Sequence, residues 1–596
     1  MLKLLKRMKA ADVIVALIAV VFIVFQVWLD LKLPDYMADI TTLINTGVED
    51  MKDVWIAGGK MLLCAFGSMA GALVVAICAS RISSDFGASL REQLYLKVQS
   101  FSMEEMNRFS TASLITRSTN DITQIQLVIV MGLQVIVKAP ITAVWAISKI
   151  YNKGIEWTIA TFITVVILLI GVAIVLFLAR PKFRKMQTLT DNINRVTREN
   201  LSGLSVVRAY NAEHYQEDKF EQANDELTRT SLFTSRTMST MMPFIGLLMN
   251  GLSISIYAIG AALINGVTIN ADMSNMAEAM TERMELFSNM VVFTSYALQV
   301  VMAFMMLVVI FILMPRASVA AERINEVLET KPNIKDGTRT QGENQMVGEV
   351  EFRDVSFRYP DAGGNMLEHI SFKAHRGDTV AIIGATGCGK TTAINLIPRF
   401  YDVTEGAVLV DGVDVREYTQ AALHNKIGYV SQKAFLFKGT IESNIAFGDN
   451  GKEPVTEEKV LDAIDISCSA HFVGKKEDGI HSEVVQGGNN FSGGQKQRLS
   501  IARAVARGAE ILIFDDSFSA LDYKTDRTVR HLLEERCKDV TKIIVAQRIG
   551  TIRNADTIIV MEDGKIAGMG THKQLMESCE VYQQIALSQL TEEELA

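Results

Sequence analysis

The sequence predicts a multidomain membrane protein: a six-helix, all-α transmembrane domain with long cytoplasmic helical extensions, followed by an α/β domain built round a phosphate-binding loop. Three observations predict it. The first half of the 596 residues carries uncharged apolar runs of membrane-crossing length. The segments between those runs are polar yet keep helical spacing, with few Pro or Gly. The second half alternates short apolar runs with helical stretches and contains the run GATGCGKT at residues 384–391. A chain of this length exceeds one compact core, so at least two domains are expected.

Residues 61–80, 157–179, 237–271 and 286–315 each reach the roughly 20 residues that a helix needs to cross a bilayer. Two less clean runs complete the set: 13–29, bounded by Asp12 and Asp30, and 122–148, interrupted by Lys138. Six spans follow, at about 13–37, 56–80, 122–148, 157–179, 237–264 and 286–314. The first is read as a span rather than a cleaved signal, because the apolar run continues past Trp28 with no small-residue cleavage pattern. Lys3, Lys6, Arg7 and Lys9 precede it and place the N-terminus in the cytoplasm. Residues 30–53 hold Asp30, Asp35, Asp39, Glu49, Asp50 and Asp53 against two lysines, as an outer loop does, whereas 180–236 is rich in Lys and Arg. An even number of spans returns the C-terminus to the cytoplasm, so a multi-pass protein of the plasma membrane is expected.

Lys138 is the odd membrane residue. At mid-bilayer it costs about 3 kcal/mol on the insertion scale, so it calls for a wet cavity, a partner carboxylate or snorkelling to the interface. The net charge of −8 sums over two compartments and excludes little. Cys64, Cys78, Cys388, Cys468, Cys537 and Cys579 show neither metal-ligand spacing nor a disulfide framework and are read as reduced and structural.

The polar stretches 81–121 and 180–236 read as helical stalks below the bilayer, rigid enough to couple one domain to the other. The transmembrane domain is assigned 1–329 and ends in a charged helix at 318–329. Residues 330–346 read as a linker, and the nucleotide-binding domain runs from 347 to 596. GEVEFRDVSFRYP alternates as a strand does and opens an α/β domain with a largely parallel sheet. Asp563-Gly564, between TIIVME and KIAGMG, is a hairpin turn signal.

The loop comprises Gly384, Ala385, Thr386, Gly387, Cys388, Gly389, Lys390 and Thr391, followed by Thr392; it comes after the apolar strand VAIIG and opens a helix. Glycines let backbone N–H groups close on phosphate, Lys390 neutralises the β and γ phosphates, and Thr391 ligates Mg²⁺. ILIFDD, residues 511–516, reads as a buried strand ending in two carboxylates suited to Mg²⁺ and to orienting a water. Between them, FSGGQ at 491–495 precedes a helix and offers further phosphate donors. Taken alone that run is a helix cap; the combination is read as excluding it.

These motifs resemble those of the ATP-binding cassette exporters, and the resemblance covers essentially the whole chain. It implies two cassettes in a head-to-tail dimer, each ATP lying between one chain's phosphate loop and the other's signature. It further implies that Tyr359 stacks on adenine, that Gln432 in YVSQ senses Mg²⁺ and the membrane domain, and that Asp515 holds the metal with Thr391. Ser492, Gly493, Gly494 and Gln495 would form the signature, and Ser519, Ala520, Leu521 and Asp522 would link the two sites.

Two positions depart from the family pattern. Asp516 stands where the family has a catalytic glutamate; its side chain is one methylene shorter and reaches roughly 1.5 Å less far. A general base must lie within hydrogen-bond reach of its water, and a misplacement of about 1 Å can cost roughly 100-fold. Gln547, in VAQRI, stands where the family has a histidine, and an amide can neither become cationic nor shuttle a proton. The pair of changes beside an intact phosphate loop resembles the degenerate-site subunit of heterodimeric exporters. The expected partner is therefore a different half-transporter bearing the catalytic glutamate and histidine. A homodimer would carry two sites lacking both groups.

Substrate is the least legible property. No peptidase-like extension is seen before the first span. Met241, Met242, Met249, Met302, Met305, Met306 and Met314 with Phe244, Phe293 and Phe304 suit a promiscuous cavity for hydrophobic or amphipathic small molecules, although such residues also pack helices. ATP and Mg²⁺ are the expected cofactors, the lipid bilayer is the expected surroundings, and no nucleic-acid partner is expected. Multidrug export leads; a dedicated lipid or peptide exporter and an ATP-gated regulatory subunit or channel are the alternatives.

Overall fold

The structure, a computed structural model, describes residues 2–45, 51–151, 153–267, 273–343, 346–360 and 362–589. Glu49 and Asp50 of the expected outer loop, residues 344–345 of the expected linker and residues 590–596 lie outside the described residues. The chain divides into two units, Met1–Val98 with Thr111–Thr330, and Gln99–Ser110 with Lys331–Ala596.

Among the described residues of the first unit, six helical stretches are long and apolar enough to cross a membrane. A bilayer interior offers no water to backbone groups, so helices that satisfy every N–H and C=O internally are the natural outcome. The helices do not stop where their apolar residues do. Lys52–Gln99 and Ile155–Ser202 each run 48 residues, roughly 70 Å at the helical rise, carrying each span into its polar stalk without a break. The charged helix expected separately at 318–329 is the end of the 57-residue helix Met273–Glu329.

The first membrane-crossing helix, Ala10–Asn45, continues through Pro34, so Asp30, Asp35 and Asp39 lie on a helix and not in the outer loop expected from residue 30. Their placement answers the question of Lys138. Its ammonium lies 3.2 Å from Asp30 Oδ2, and Asp30 also accepts from the Ser68 hydroxyl. A second carboxylate on the same helix, Asp35, accepts from Lys149 Nζ at 2.9 Å and from the Tyr296 hydroxyl at 2.6 Å. A partner carboxylate, not snorkelling, meets the charge. The turn just before Lys138, Leu133–Val137, is π-helical, the wider winding that often marks special positions in a helix.

Among its described residues the second unit has twelve strands: β1 (Val350–Phe357), β2 (Leu367–Ala374), β3 (Thr379–Gly384), β4 (Glu405–Val410), β5 (Val413–Asp414) and β6 (Ile427–Val430). They are followed by β7 (Gly439–Thr440), β8 (Glu483–Val484), β9 (Ile511–Asp515), β10 (Thr541–Val545), β11 (Thr557–Glu562) and β12 (Lys565–Gly570). The main sheet has the order β12-β11-β3-β10-β9-β6, parallel except for β12. The parallel expectation is therefore met there, but β1 is not part of it. β1 belongs to a separate antiparallel sheet, β2-β1-β4-β5. The sequence contains the reason: β9 and β10 are wholly buried runs, as strands covered on both faces must be, whereas β1 has exposed positions in mid-strand. Asp563 and Gly564 form the two-residue turn of the β11–β12 hairpin, both with positive φ.

A core fills the space between the two sheets, with Phe352 stacked on Phe372 at 4.4 Å. Residues 335–339 are not a free tether. Gly337 N–H donates to Tyr418 C=O and Arg399 Nη1 donates to Lys335 C=O, both at 2.9 Å.

Cutting one side of the Asp30–Lys138 pair leaves its partner charge uncompensated. Lys138→Met is predicted to destabilise the membrane unit by about 1–2 kcal/mol, less than a fully buried pair because both side chains are about a quarter exposed. Lys138→Met/Asp30→Leu should recover at least half of the loss in thermal midpoint in lipid; a double variant no more stable than the single contradicts the pairing.

Candidate functional site

β3 delivers the chain to the phosphate-binding loop at the carboxyl edge of the main sheet, where open α/β sheets place their ligands. A side chain at Gly384 would run into the Met561 carbonyl oxygen, so the loop can leave the strand there only as glycine. Gly387 and Gly389 have φ of 89° and 99°, the left-handed region that other residues avoid. Lys390 begins the helix Lys390–Leu396, and its ammonium reaches back across the loop to the carbonyls of Gly384 at 2.9 Å and Ala385 at 2.7 Å.

Asp515 ends β9, two strands from β3, and its Oδ1 accepts from the Thr391 hydroxyl at 2.8 Å. Only 3 % of it is exposed, and burial pushes its carboxyl above the usual range, with Asp516 adding to the effect and Thr391 and Lys390 opposing it. A carboxylate and a hydroxyl in hydrogen-bond contact, beside a charge that burial disfavours, are hard oxygen donors that fit Mg²⁺.

Asp516 is the focus of the site. Its φ of 46° turns the chain sharply away from β9, and its N–H donates to Val545 C=O at 3.0 Å. Its Oδ2 accepts from the amide of Gln547 at 2.9 Å and from that of Gln432 at 3.4 Å. The convergence follows from topology. β6, β9 and β10 are parallel neighbours, and Gln432, Asp516 and Gln547 each stand one or two residues beyond the carboxyl end of their strand. Both amides present nitrogen to this oxygen, which is the acceptor in each bond. These groups, with Thr386, Gly387 and residues 389–392, line a cleft of about 200 Å³ that Met366 and Val545 complete.

Tyr359 does not itself line the cleft but touches Thr392, which does. Its hydroxyl is 3.1 Å from Thr392 Oγ1 and its ring meets Phe357 and Tyr401 edge-on. Ser492 to Gln495 do not line the cleft. They form the N-terminus of Gly493–Ala506, where Ser492 N–H donates to Gln495 Oε1 at 2.9 Å and Gln495 N–H returns to Ser492 Oγ at 3.4 Å. The expectation that the motif is not a helix cap is thus corrected: it is a reciprocal capping box, and a donor surface only beyond that. Gly493 has open space about it, and Gly494 lies against the Ala520 carbonyl.

Ser519 donates to the Asp516 carbonyl at 2.8 Å, and Asp522 caps the helix Tyr523–Arg536. Arg548, which sequence reasoning passed over, donates to the carbonyls of Ser519 at 3.2 Å and Leu521 at 3.4 Å, fastening Ser519–Asp522 to the segment that carries Gln547. Ser517, also missed, donates to Val430 C=O and ties the turn after β9 to β6. Neither carries a sequence signal beyond adjacency to a residue already singled out.

The aromatic and methionine residues proposed for a substrate cavity divide. Phe293 is buried against Trp157 at 5.5 Å, and Met241, Met249, Phe304 and Met305 pack on the same core. Phe244 lies against Gly171. Met242, Met302, Met306 and Met314 are exposed on the unit.

Residues 12–276 match the family described as ABC transporter transmembrane region, and residues 367–519 match the family described as ABC transporter. An uncharacterised ABC transporter ATP-binding protein of Mycobacterium tuberculosis is 39% identical over 532 residues, 89% of this chain and 87% of its own. A putative multidrug export ATP-binding/permease protein of Bacillus subtilis is 30% identical, covering 82% and 81%. An ATP-dependent lipid A-core flippase of Aromatoleum aromaticum is 29% identical, covering 86% and 82%. The structure of a bacterial Atm1-family ABC exporter with ATP bound superposes with a TM-score of 0.76, covering 97% of this chain and 98% of that one at 23% identity.

The amide on Asp516 makes a prediction about repair. Asp516→Glu restores reach but leaves the Gln547 amide on the carboxylate, and Gln547→His restores a titratable group without reach. Each alone should raise ATP hydrolysis at this site by less than about tenfold, and the two together by more than the product of their separate effects, as contacting residues do. Hydrolysis by the purified full-length variants in lipid checks this; a product equal to the double variant contradicts the contact.

Proposed function

The chain belongs to the ABC transporter family, with a membrane unit and an ATP-binding unit joined in one polypeptide, and from that premise we propose that it is the degenerate-site half of a heterodimeric exporter. The observation that carries the proposal is the Asp516 carboxylate, held at Oδ2 by the amides of Gln547 and Gln432. In place of a long carboxylate free to orient a water and a histidine beside the γ-phosphate, this edge offers a short carboxylate occupied by two amides. Such a site holds ATP without turning it over efficiently.

The roles follow. Tyr359 supports adenine, and the loop from Gly384 to Thr392 surrounds the phosphates, with Lys390 swinging from its loop carbonyls to their oxygens. Thr391, Asp515 and Gln432 would hold Mg²⁺, which when bound neutralises phosphate charge. Ser492 to Gln495 point their helix N-terminus at the ATP of the partner half, whose own glutamate and histidine do the hydrolysis. Ser519 to Asp522, fastened by Arg548, join that site to this one. ATP binding closes the cassettes, the stalk helices carry closure to the spans, and hydrolysis at the competent site reopens them. Both termini lie in the cytoplasm.

Hydrophobic or amphipathic small molecules are the proposed cargo, on the exposed methionines of the spans and the likeness to a multidrug export protein. The likeness to a lipid flippase favours a second reading, a dedicated lipid exporter. Substrate-stimulated ATP hydrolysis in lipid separates the two.

The purified chain alone in lipid should hydrolyse ATP at near background and reach high turnover only with a second half present. In that pair, Ser492→Ala should lower turnover at least tenfold, whereas Lys390→Ala should chiefly weaken nucleotide binding to this chain. Brisk hydrolysis by the lone chain, or full turnover of the Ser492→Ala pair, would replace this account with a working homodimer.

A further inference from the structure

The segment Gln99–Ser110 lies in sequence between helices of the membrane unit but belongs in space to the nucleotide-binding unit. Its short helix, Met103–Phe109, is pinned at its first turn. Glu105 accepts from the backbone N–H of Ser102 at 2.7 Å and of Asn333 at 3.0 Å. Burial by itself would raise the Glu105 carboxyl, but the bonds from Ser102 and Asn333 outweigh it and hold the group below the usual range. Half a turn on, Asn107 Nδ2 donates to the Tyr401 hydroxyl at 3.1 Å.

Tyr401 is more than an anchor point. Its ring meets that of Tyr359 edge to face, centroids 5.3 Å apart and planes at 86°, and both rings lean on Phe357. Tyr359 in turn holds Thr392, in the first turn of the helix after the phosphate loop. Asn107, Tyr401, Tyr359 and Thr392 therefore form one contiguous series of contacts from the segment that interrupts the membrane helices to the nucleotide cleft.

We propose that Asn107 and Tyr401 are positioning residues through which the segment 99–110 reads the nucleotide base, as distinct from its phosphates. This rests on the assignment of Tyr359 as the adenine support. A base stacked on Tyr359 fixes the plane of that ring. The ring can turn only by displacing the edge of Tyr401, because close-packed aromatic contacts leave no slack. Tyr401 cannot yield without straining its bond to Asn107, and Glu105 prevents the segment from following as a whole. Base occupancy thereby tightens the segment, and by reciprocity a tightened segment favours the base.

Hydrogen exchange of residues 103–109, in the full-length chain in lipid, tests this with three additions: none, ATP, and inorganic tripolyphosphate, which fills the phosphate loop but has no base. ATP should slow exchange in the segment roughly three- to tenfold, the worth of about one hydrogen bond, and tripolyphosphate should not. Tyr401→Phe, which keeps the ring and loses the hydroxyl, and Asn107→Ala should each erase the increment due to ATP while lowering ATP affinity by no more than that factor. Equal slowing by tripolyphosphate, or an increment that survives Asn107→Ala, overturns the proposal. Tyr359→Ala tests its footing separately: the variant should lose the preference for ATP over tripolyphosphate in equilibrium binding. If that preference remains, the adenine assignment is the part that fails.

Discussion

The carboxyl edge of a parallel sheet is the constraint on which the chemistry of this chain depends. β6, β9 and β10 run the same way, so the residues at or just beyond their ends, Gln432, Asp515 with Asp516, and Gln547, meet in one place although up to 115 positions separate them in sequence. β3 brings the phosphate-binding loop to the same edge. Burial of the strands on both faces makes the edge rigid, and at Asp516, where φ is positive, a second carboxylate joins that of Asp515 in the cleft. What the site can do then depends on which atoms occupy that carboxylate. Two amide nitrogens meet its Oδ2, and the proposed loss of water orientation rests on that contact.

The membrane unit is governed by a different solvent. With no water to satisfy backbone groups, long helical stretches are the result, six among the described residues, and charges within the bilayer must find partners in the bundle. Asp30 and Asp35, on the first helix, meet Lys138 and Lys149 on the stretch formed by the third span. These are ties between helices that an apolar pattern alone does not supply, and the π-helical turn stands immediately before one of them.

How much of this was legible in sequence varied with the range of the interaction. The spans, the phosphate-binding loop, the strand ending in two carboxylates and the Asp563-Gly564 turn are local patterns, and they could be read directly. The outer loop was started at Asp30 because that charge bounds the first apolar run, and only the distant Lys138 and Ser68 show why Asp30 is tolerated on a helix. β1 was legible as a strand, but a strand pattern does not name its neighbour, and the separate antiparallel sheet it joins was not foreseen. The capping role of Ser492 and Gln495 was visible in their spacing but set aside for the phosphate reading, although one does not exclude the other. Within the site, the identity of Asp516 and Gln547 was readable, but their contact was not. Arg548 and Tyr401 carry no motif, and only the folded structure gives either a task.

The central claim is that this chain's own site keeps ATP while another site spends it. The direct measurement is the chemical state of nucleotide bound to this chain after many turnovers of the transporter in lipid with its second half, read by photo-crosslinking a radiolabelled ATP analogue and identifying the label on this polypeptide. Triphosphate recovered on this chain, exchanging more slowly than the pair turns over, is the predicted result. Diphosphate appearing on it at the rate of turnover would contradict the account and make Asp516 a working catalytic base.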